Sequence, residues 1–127
     1  TDGRVKIIGR LKDIASRNGK KVSLAEVDDA FRAASGIGDL AAFTVPDDET
    51  GEHVAVAVAH APDDLDVPAI LQEMEDRGLA RYKLPEVVVR WDEDLPTTAS
   101  GKVQRRHLSE DRPLVWCAQR LRDSRRR

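Results

Sequence analysis

Two hydrophobic periods run along this chain, one of helices and one of buried strands. After Ser23, the apolar residues Leu24, Val27, Phe31 and Ala34 recur near the 3.6-residue spacing of one helix face. Ser23 suits the N-cap, Glu26 completes a capping-box pattern, and Gly36 and Gly38 end the predicted helix. Residues 40–45 and 54–59 are apolar runs that read as strands. The small and β-branched residues of the second run predict burial on both faces. Residues 46–51 read as the turn between them, and residues 62–66 as an acidic loop. A second helix is predicted over 67–79, with Pro68 in its first turn, Gly78 weakening its end, and Ile70, Leu71, Met74 and Leu79 toward the core. Tyr82-Lys83-Leu84-Pro85 connects it to a third buried strand at Val87-Val88-Val89. Residues 95–102 then read as a loop and 103–110 as a short helix.

Ahead of the first helix, Val5-Lys6-Ile7-Ile8 reads as a short strand broken by residues 9–13. Residues 14–22 suit a hairpin around Asn18-Gly19, a strong reverse-turn pair. The order predicts an α+β domain, a small mixed sheet with flanking helices preceded by a short hairpin, over residues 1–110. Residues 111–127 read as a basic extension in which Arg112, Arg120, Arg122, Arg125, Arg126 and Arg127 are offset by Asp123. A short helix there turns Leu114, Val115, Ala118 and Leu121 inward. A solvated, frayed terminus is favoured over a phosphate- or partner-binding tail.

Composition narrows the function classes. With 127 residues the chain is long enough for one modest core, and 4% aromatics make that core one of Val, Leu, Ile and Ala. So few aromatics argue against a base-stacking platform, and a net charge of −2 gives no general attraction to nucleic acid or anionic membrane. The single cysteine, Cys117, lies in the apolar patch 114–118 and reads as a buried small hydrophobe. One cysteine excludes an internal disulfide and suits a reducing, cytoplasmic setting. No run has the length of a membrane span and no signal peptide is visible. The chain begins at Thr1 without an initiator Met, which is expected of a fragment or a processed product. His53, His60 and His107 are dispersed, so no metal site is expected, and there is no Gly-rich Walker-type loop.

The candidate chemistry sits in Leu95-Pro96-Thr97-Thr98-Ala99-Ser100-Gly101-Lys102-Val103-Gln104-Arg105. One lysine follows a small, flexible Ser-Gly pair, an arrangement that presents an ammonium group to an oxyanion or phosphate. This run, with Tyr82-Lys83-Leu84-Pro85 ahead of it, resembles the C-terminal lysine motif of the adenylate-forming enzymes: acyl-CoA synthetases, aryl acid ligases, luciferases and peptide-synthetase adenylation domains. Gly3-Arg4-Val5-Lys6-Ile7-Ile8-Gly9-Arg10-Leu11-Lys12-Asp13, continuing through Gly19 to Ser23-Leu24-Ala25-Glu26-Val27, resembles the hinge motif of the same family. The two motifs occur in the family's order, and the resemblance covers nearly all of residues 3–110.

The resemblance implies the small mobile C-terminal lid domain of a larger enzyme, whose missing N-terminal domain binds the acid and ATP. It implies activation of a carboxylic acid with ATP and Mg2+ to an acyl-adenylate, then displacement of AMP by CoA or a carrier-protein pantetheine. Between the half-reactions the small domain rotates. By position, Lys102 is the catalytic lysine of adenylation, stabilising charge on the carboxylate and phosphate oxygens. Lys12 is the hinge, near residues 10–13. Arg10 meets nucleotide or the large domain, Gly19 lies near the thiol tunnel after rotation, and Lys20 and Lys21 meet phosphates of AMP or CoA. At Ala15-Ser16 the chain departs from members that carry a bulkier residue followed by Lys or Asn. The expected activity is that of an acyl- or aryl-CoA ligase, with no nucleic-acid partner. The alternatives are an adenylation domain loading a carrier protein and a non-catalytic interaction module of the same fold.

Overall fold

Asn18 and Gly19 both hold positive φ, 53° and 78°, the conformation of a two-residue hairpin loop. In the computed structural model, which describes residues 13–121, that loop joins strand β1, Ile14–Arg17, to β2, Lys20–Ser23. The predicted strand at Val5-Lys6-Ile7-Ile8, the positions Arg10 and Lys12, and Arg122, Arg125, Arg126 and Arg127 lie outside the described residues.

Helix α1, Leu24–Ser35, starts and stops where its sequence predicts. The Ser23 hydroxyl accepts a hydrogen bond from the Glu26 N–H at 3.3 Å, and Gly36 closes the helix with φ 77°, its N–H donating to the Arg32 carbonyl. The Glu26 carboxylate pairs with the Lys83 ammonium at 2.9 Å, which ties the helix start to the Tyr82-Lys83-Leu84-Pro85 connector.

Strands β3, Leu40–Asp47, and β4, Gly51–Ala59, form an antiparallel pair running from Leu40 opposite Val58 to Asp47 opposite Gly51. The turn between them is shorter than the predicted 46–51, because β3 pairs only with β4 and an edge strand accommodates Pro46. Helix α2, Val67–Asp76, crosses from β4 to the parallel strand β5, Val87–Trp91. Asp66 caps its start, and it ends before Gly78, short of the predicted residue 79.

The C-terminal part differs more from its sequence pattern. In place of the predicted helix with Leu114 and Val115 inward, Leu114–Cys117 forms strand β6, antiparallel to β5, with Trp116 and Cys117 packed on opposite faces. Leu114 is half exposed. The free edge of β5 supplies backbone partners that a short isolated helix would lack. Of the predicted helix over 103–110, only a 3-10 turn, Arg105–His107, forms.

The sheet is therefore covered on both faces. Val54, Val56 and Val58 face α1 and α2 through Val27, Phe31, Ile70 and Met74. Ala55, Ala57 and Ala59 face the other way, against Leu95, Leu108 and Cys117. The second cover is the long segment that carries Lys102. Phe31 is fully buried at the centre of the first layer. Phe31→Ala is expected to lower unfolding free energy by about 3–5 kcal/mol, read from denaturant melts of the chain.

Candidate functional site

Lys102 stands on a tight turn whose geometry comes from local hydrogen bonds. Thr97 and Val103 form an antiparallel bridge, and the Gln104 N–H donates to the Pro96 carbonyl at 2.8 Å. Inside that frame the Thr98 N–H donates to the Lys102 carbonyl at 2.7 Å, and the Lys102 N–H donates to Thr98 Oγ1 at 3.2 Å. Gly101 carries the positive φ, 91°, that the turn requires. Thr98 is thus the keystone of the Pro-Thr-Thr run, and Lys102 is exposed at its rim. Among the described residues its ammonium makes no hydrogen bond or ion pair.

The segment leaving this turn is fastened by Arg105, at the start of the 3-10 turn. Its guanidinium donates to both carboxylate oxygens of Asp28, at 3.2 and 2.8 Å, and to the Ala42 carbonyl at 2.9 Å. Asp28 in turn accepts the Ala42 N–H at 2.6 Å. The side-chain pair therefore satisfies a donor and an acceptor on the open edge of β3. A third partner, Asp13, accepts from Arg105 Nε at 3.3 Å and is the residue that follows Lys12 in the sequence. Asp28 is buried, on the same face of α1 as Leu24, Val27 and Phe31. An acid on an apolar stripe was its sequence signal. Arg105 closes the run that carries the family resemblance, but nothing in Gln104-Arg105-Arg106-His107 indicated its partner.

Lys102, Val103, Gln104, Arg105, Thr44 and Asp13 line part of a cleft of about 700 Å3. The other predicted residues collect elsewhere. Gly19 and Lys20 lie at the far end of β1, where the Asn18 N–H donates to the Thr50 carbonyl. The Lys20 ammonium sits 4.7 Å over the Tyr82 ring, with Lys83 on the same ring at 5.8 Å. Lys21 is exposed. A Cβ at Gly19 would meet nothing within 4 Å, so the glycine answers to its φ and leaves open surface beside it.

An ion-pair cluster that the sequence pattern did not suggest holds this hairpin end to the sheet. Arg17 pairs with Glu86 at 2.6 Å and donates to the Tyr82 carbonyl at 3.2 Å. Arg120 grips Glu86 at 2.7 Å and also binds Asp47, whose other neighbours are the Glu49 N–H and the His53 ring. Arg120 thus has a structural place that the frayed-terminus reading of the tail did not give it. The Arg120 guanidinium holds the Asp47 carboxyl well below the usual carboxylate range, against the opposing effect of burial. Glu86, and after it Asp47, hold the Arg120 guanidinium above its ordinary value.

Among the described residues no group of three or more His, Cys, Asp or Glu side chains is placed to hold a metal ion, and no helix is long and apolar enough to cross a membrane.

Residues 26–102 match the family model described as the AMP-binding enzyme C-terminal domain. The chain is similar to a probable CoA ligase of Humulus lupulus, 36% identical over 110 residues that are 86% of this chain and 21% of the relative. It is similar to 2,3-dihydroxybenzoate-AMP ligase of Bacillus subtilis, 37% identical over 112 residues, 86% of this chain and 20% of the relative. Among solved structures, a Mycobacterium tuberculosis fatty acyl CoA synthetase superposes with a TM-score of 0.68 at 30% identity, covering 82% of this chain and 21% of that one. The chain thus spans about a fifth of the length of the curated relatives it matches.

The Asp47 cluster predicts a pH dependence. The Asp47 carboxyl titrates lower folded than unfolded, so its stabilisation is full above the unfolded value near 4 and is lost as pH falls below it. Asp47→Asn should lower the melting temperature at pH 7, and its deficit against wild type should shrink from pH 5 to pH 2.5. A deficit constant with pH would contradict the assignment.

Proposed function

Because the chain belongs to the AMP-binding enzyme C-terminal domain family, we propose that it is the mobile lid of a ligase that joins a carboxylic acid to a thiol through an acyl-adenylate. The observation that carries this reading is the Lys102 turn: an exposed ammonium without a partner among the described residues, on a preformed loop, in the C-terminal motif that the sequence resembles. A cation held this way suits the charge that gathers on carboxylate and phosphate oxygens as the acid attacks ATP. The acid and ATP would be bound by a large domain preceding this one, and Mg2+ would arrive with ATP and take its protein ligands there.

The second half-reaction is assigned to the hairpin end. Open surface beside Gly19, with Lys20 and Lys21 following, suits a pantetheine arm and its phosphates. Asp13 and Gly19 lie at opposite ends of β1, so the Lys102 cleft and the hairpin tip are different ends of the domain. This separation supports a rotation between the two steps, with Lys12 as its hinge and Arg10 near the nucleotide. The acceptor of the first reading is CoA. A carrier-protein pantetheine is kept as a second, since it presents the same thiol arm to the hairpin end. The compartment proposed is the cytoplasm.

Two tests in the full-length ligase separate the steps. Lys102→Ala should slow acyl-adenylate formation, read as pyrophosphate release, by about a hundred- to a thousandfold. It should leave thioester formation from supplied acyl-adenylate largely intact, and the isolated chain should release no pyrophosphate with any acid. Equal losses in both steps would contradict the assignment. Lys12→Pro fixes φ near −65° and deletes an N–H. If Lys12 is the hinge, single-turnover rates should show one half-reaction kept and the other lost, at an unchanged melting temperature.

A further inference from the structure

Lys102 and Arg105 are separated by only two residues, and both of these are committed. Val103 bridges Thr97, and Gln104 donates its N–H to Pro96. No slack therefore lies between the turn that presents the lysine and the guanidinium below it. Arg105 reaches around the open edge of β3, from the sheet face covered by the lysine segment to the face covered by α1. There it meets Asp28 with two hydrogen bonds, one from each terminal nitrogen, and Nη1 also donates to the Ala42 carbonyl. Arg105 and Asp28 are both well buried, with side-chain exposures of 15% and 8%.

A buried ion pair is a poor device for stability alone, since its desolvation cost offsets much of its attraction. It is a good device for fixing geometry, because the planar fork admits one arrangement of a carboxylate. We propose that Arg105, held by Asp28, is a positioning residue for adenylation: it fixes the base of the Thr98 turn and so the place of the Lys102 ammonium. Its contact with Asp13 ties that base to the segment next to Lys12, so the lysine turn and the hinge end of β1 move as one piece. The proposal rests on the reading of Lys102 as the adenylation lysine. Arg105 touches no substrate in it.

The test uses the full-length ligase as wild type, Arg105→Lys, Lys102→Ala and the double variant. Arg105→Lys keeps the charge and loses the fork. It should lower kcat for adenylation by about ten- to a hundredfold, the loss expected for a misplacement near 1 Å. KM for ATP should stay within about twofold, and thioester formation from supplied acyl-adenylate should stay near wild type. The double variant should be no slower in adenylation than Lys102→Ala, since Arg105 acts only through that lysine. Amide hydrogen exchange should quicken across residues 96–104 and stay unchanged across 54–59. Asp28→Asn, of nearly the same shape, should give the same pattern, and it decides the matter if Arg105→Lys does not fold. Parallel losses in both half-reactions with a fallen melting temperature, or additive losses in the double variant, would overturn the positioning role. So would an unslowed Arg105→Lys beside a slow Lys102→Ala, which leaves the reading of Lys102 standing. An unslowed Lys102→Ala would overturn both.

Discussion

Strand β4 is buried on both faces, and a sheet with such a strand at its centre needs two covers. The helices provide one. The other is a segment with little regular structure, anchored by Leu95 and Leu108 and bearing the lysine turn between them. The loop that carries Lys102 is therefore also a wall of the core. Burying Leu95 and Leu108 brings the lysine turn to a fixed place on the sheet. Local hydrogen bonds around Thr98 then set its shape, and Arg105 closes the remaining freedom at the edge of β3. On the proposed reading, rotation of the domain aims the lysine only if the loop does not move on its own.

The hairpin end answers to the same need by other means. Its Ala15 and Val22 pack into the helical core, but its tip extends past that core, and β1 shares only the Arg17–Gly51 pairing with β4. Charge holds it there: Arg17 and Arg120 converge on Glu86, and Arg120 continues to Asp47. Arg120 comes from beyond β6, so the last described residues brace a surface that the first ones form. The two ends of β1 thus carry two distinct surfaces of one fold, as the proposed alternation between two half-reactions requires.

Much of this was legible in local patterns. The α1 stripe, its Ser23 cap and Gly36 stop, the Asn18-Gly19 hairpin and the two-sided burial of residues 54–59 depend on neighbours in sequence, and they formed as read. Strand β6 depends on the edge of β5, more than twenty residues away, and the apolar residues of 114–117 suit a helix equally well without that partner. The 46–51 turn failed for a similar reason, since Pro46 excludes a central strand but not an edge. Of the proposed site, Lys102, Gly19 and Lys20 were singled out by motif and turn chemistry. Asp28 had a signal, its place on the apolar stripe of α1, but not a partner; Arg105, Asp47, Glu86 and Arg120 had neither, because a charge pair is set by distance in space and leaves no period in the chain.

One domain is proposed to present the Lys102 end for adenylation and the Gly19 end for thiol transfer. Footprinting of lysine reactivity in the full-length ligase, with an amine-directed reagent and mass spectrometry, tests it directly. With ATP and a carboxylic acid held before thiol transfer, Lys102 should be protected while Lys20 and Lys21 stay reactive. With an unreactive acyl-adenylate analogue and CoA, the protection should exchange. Protection of both ends in the same state, or of neither in both, would contradict the account.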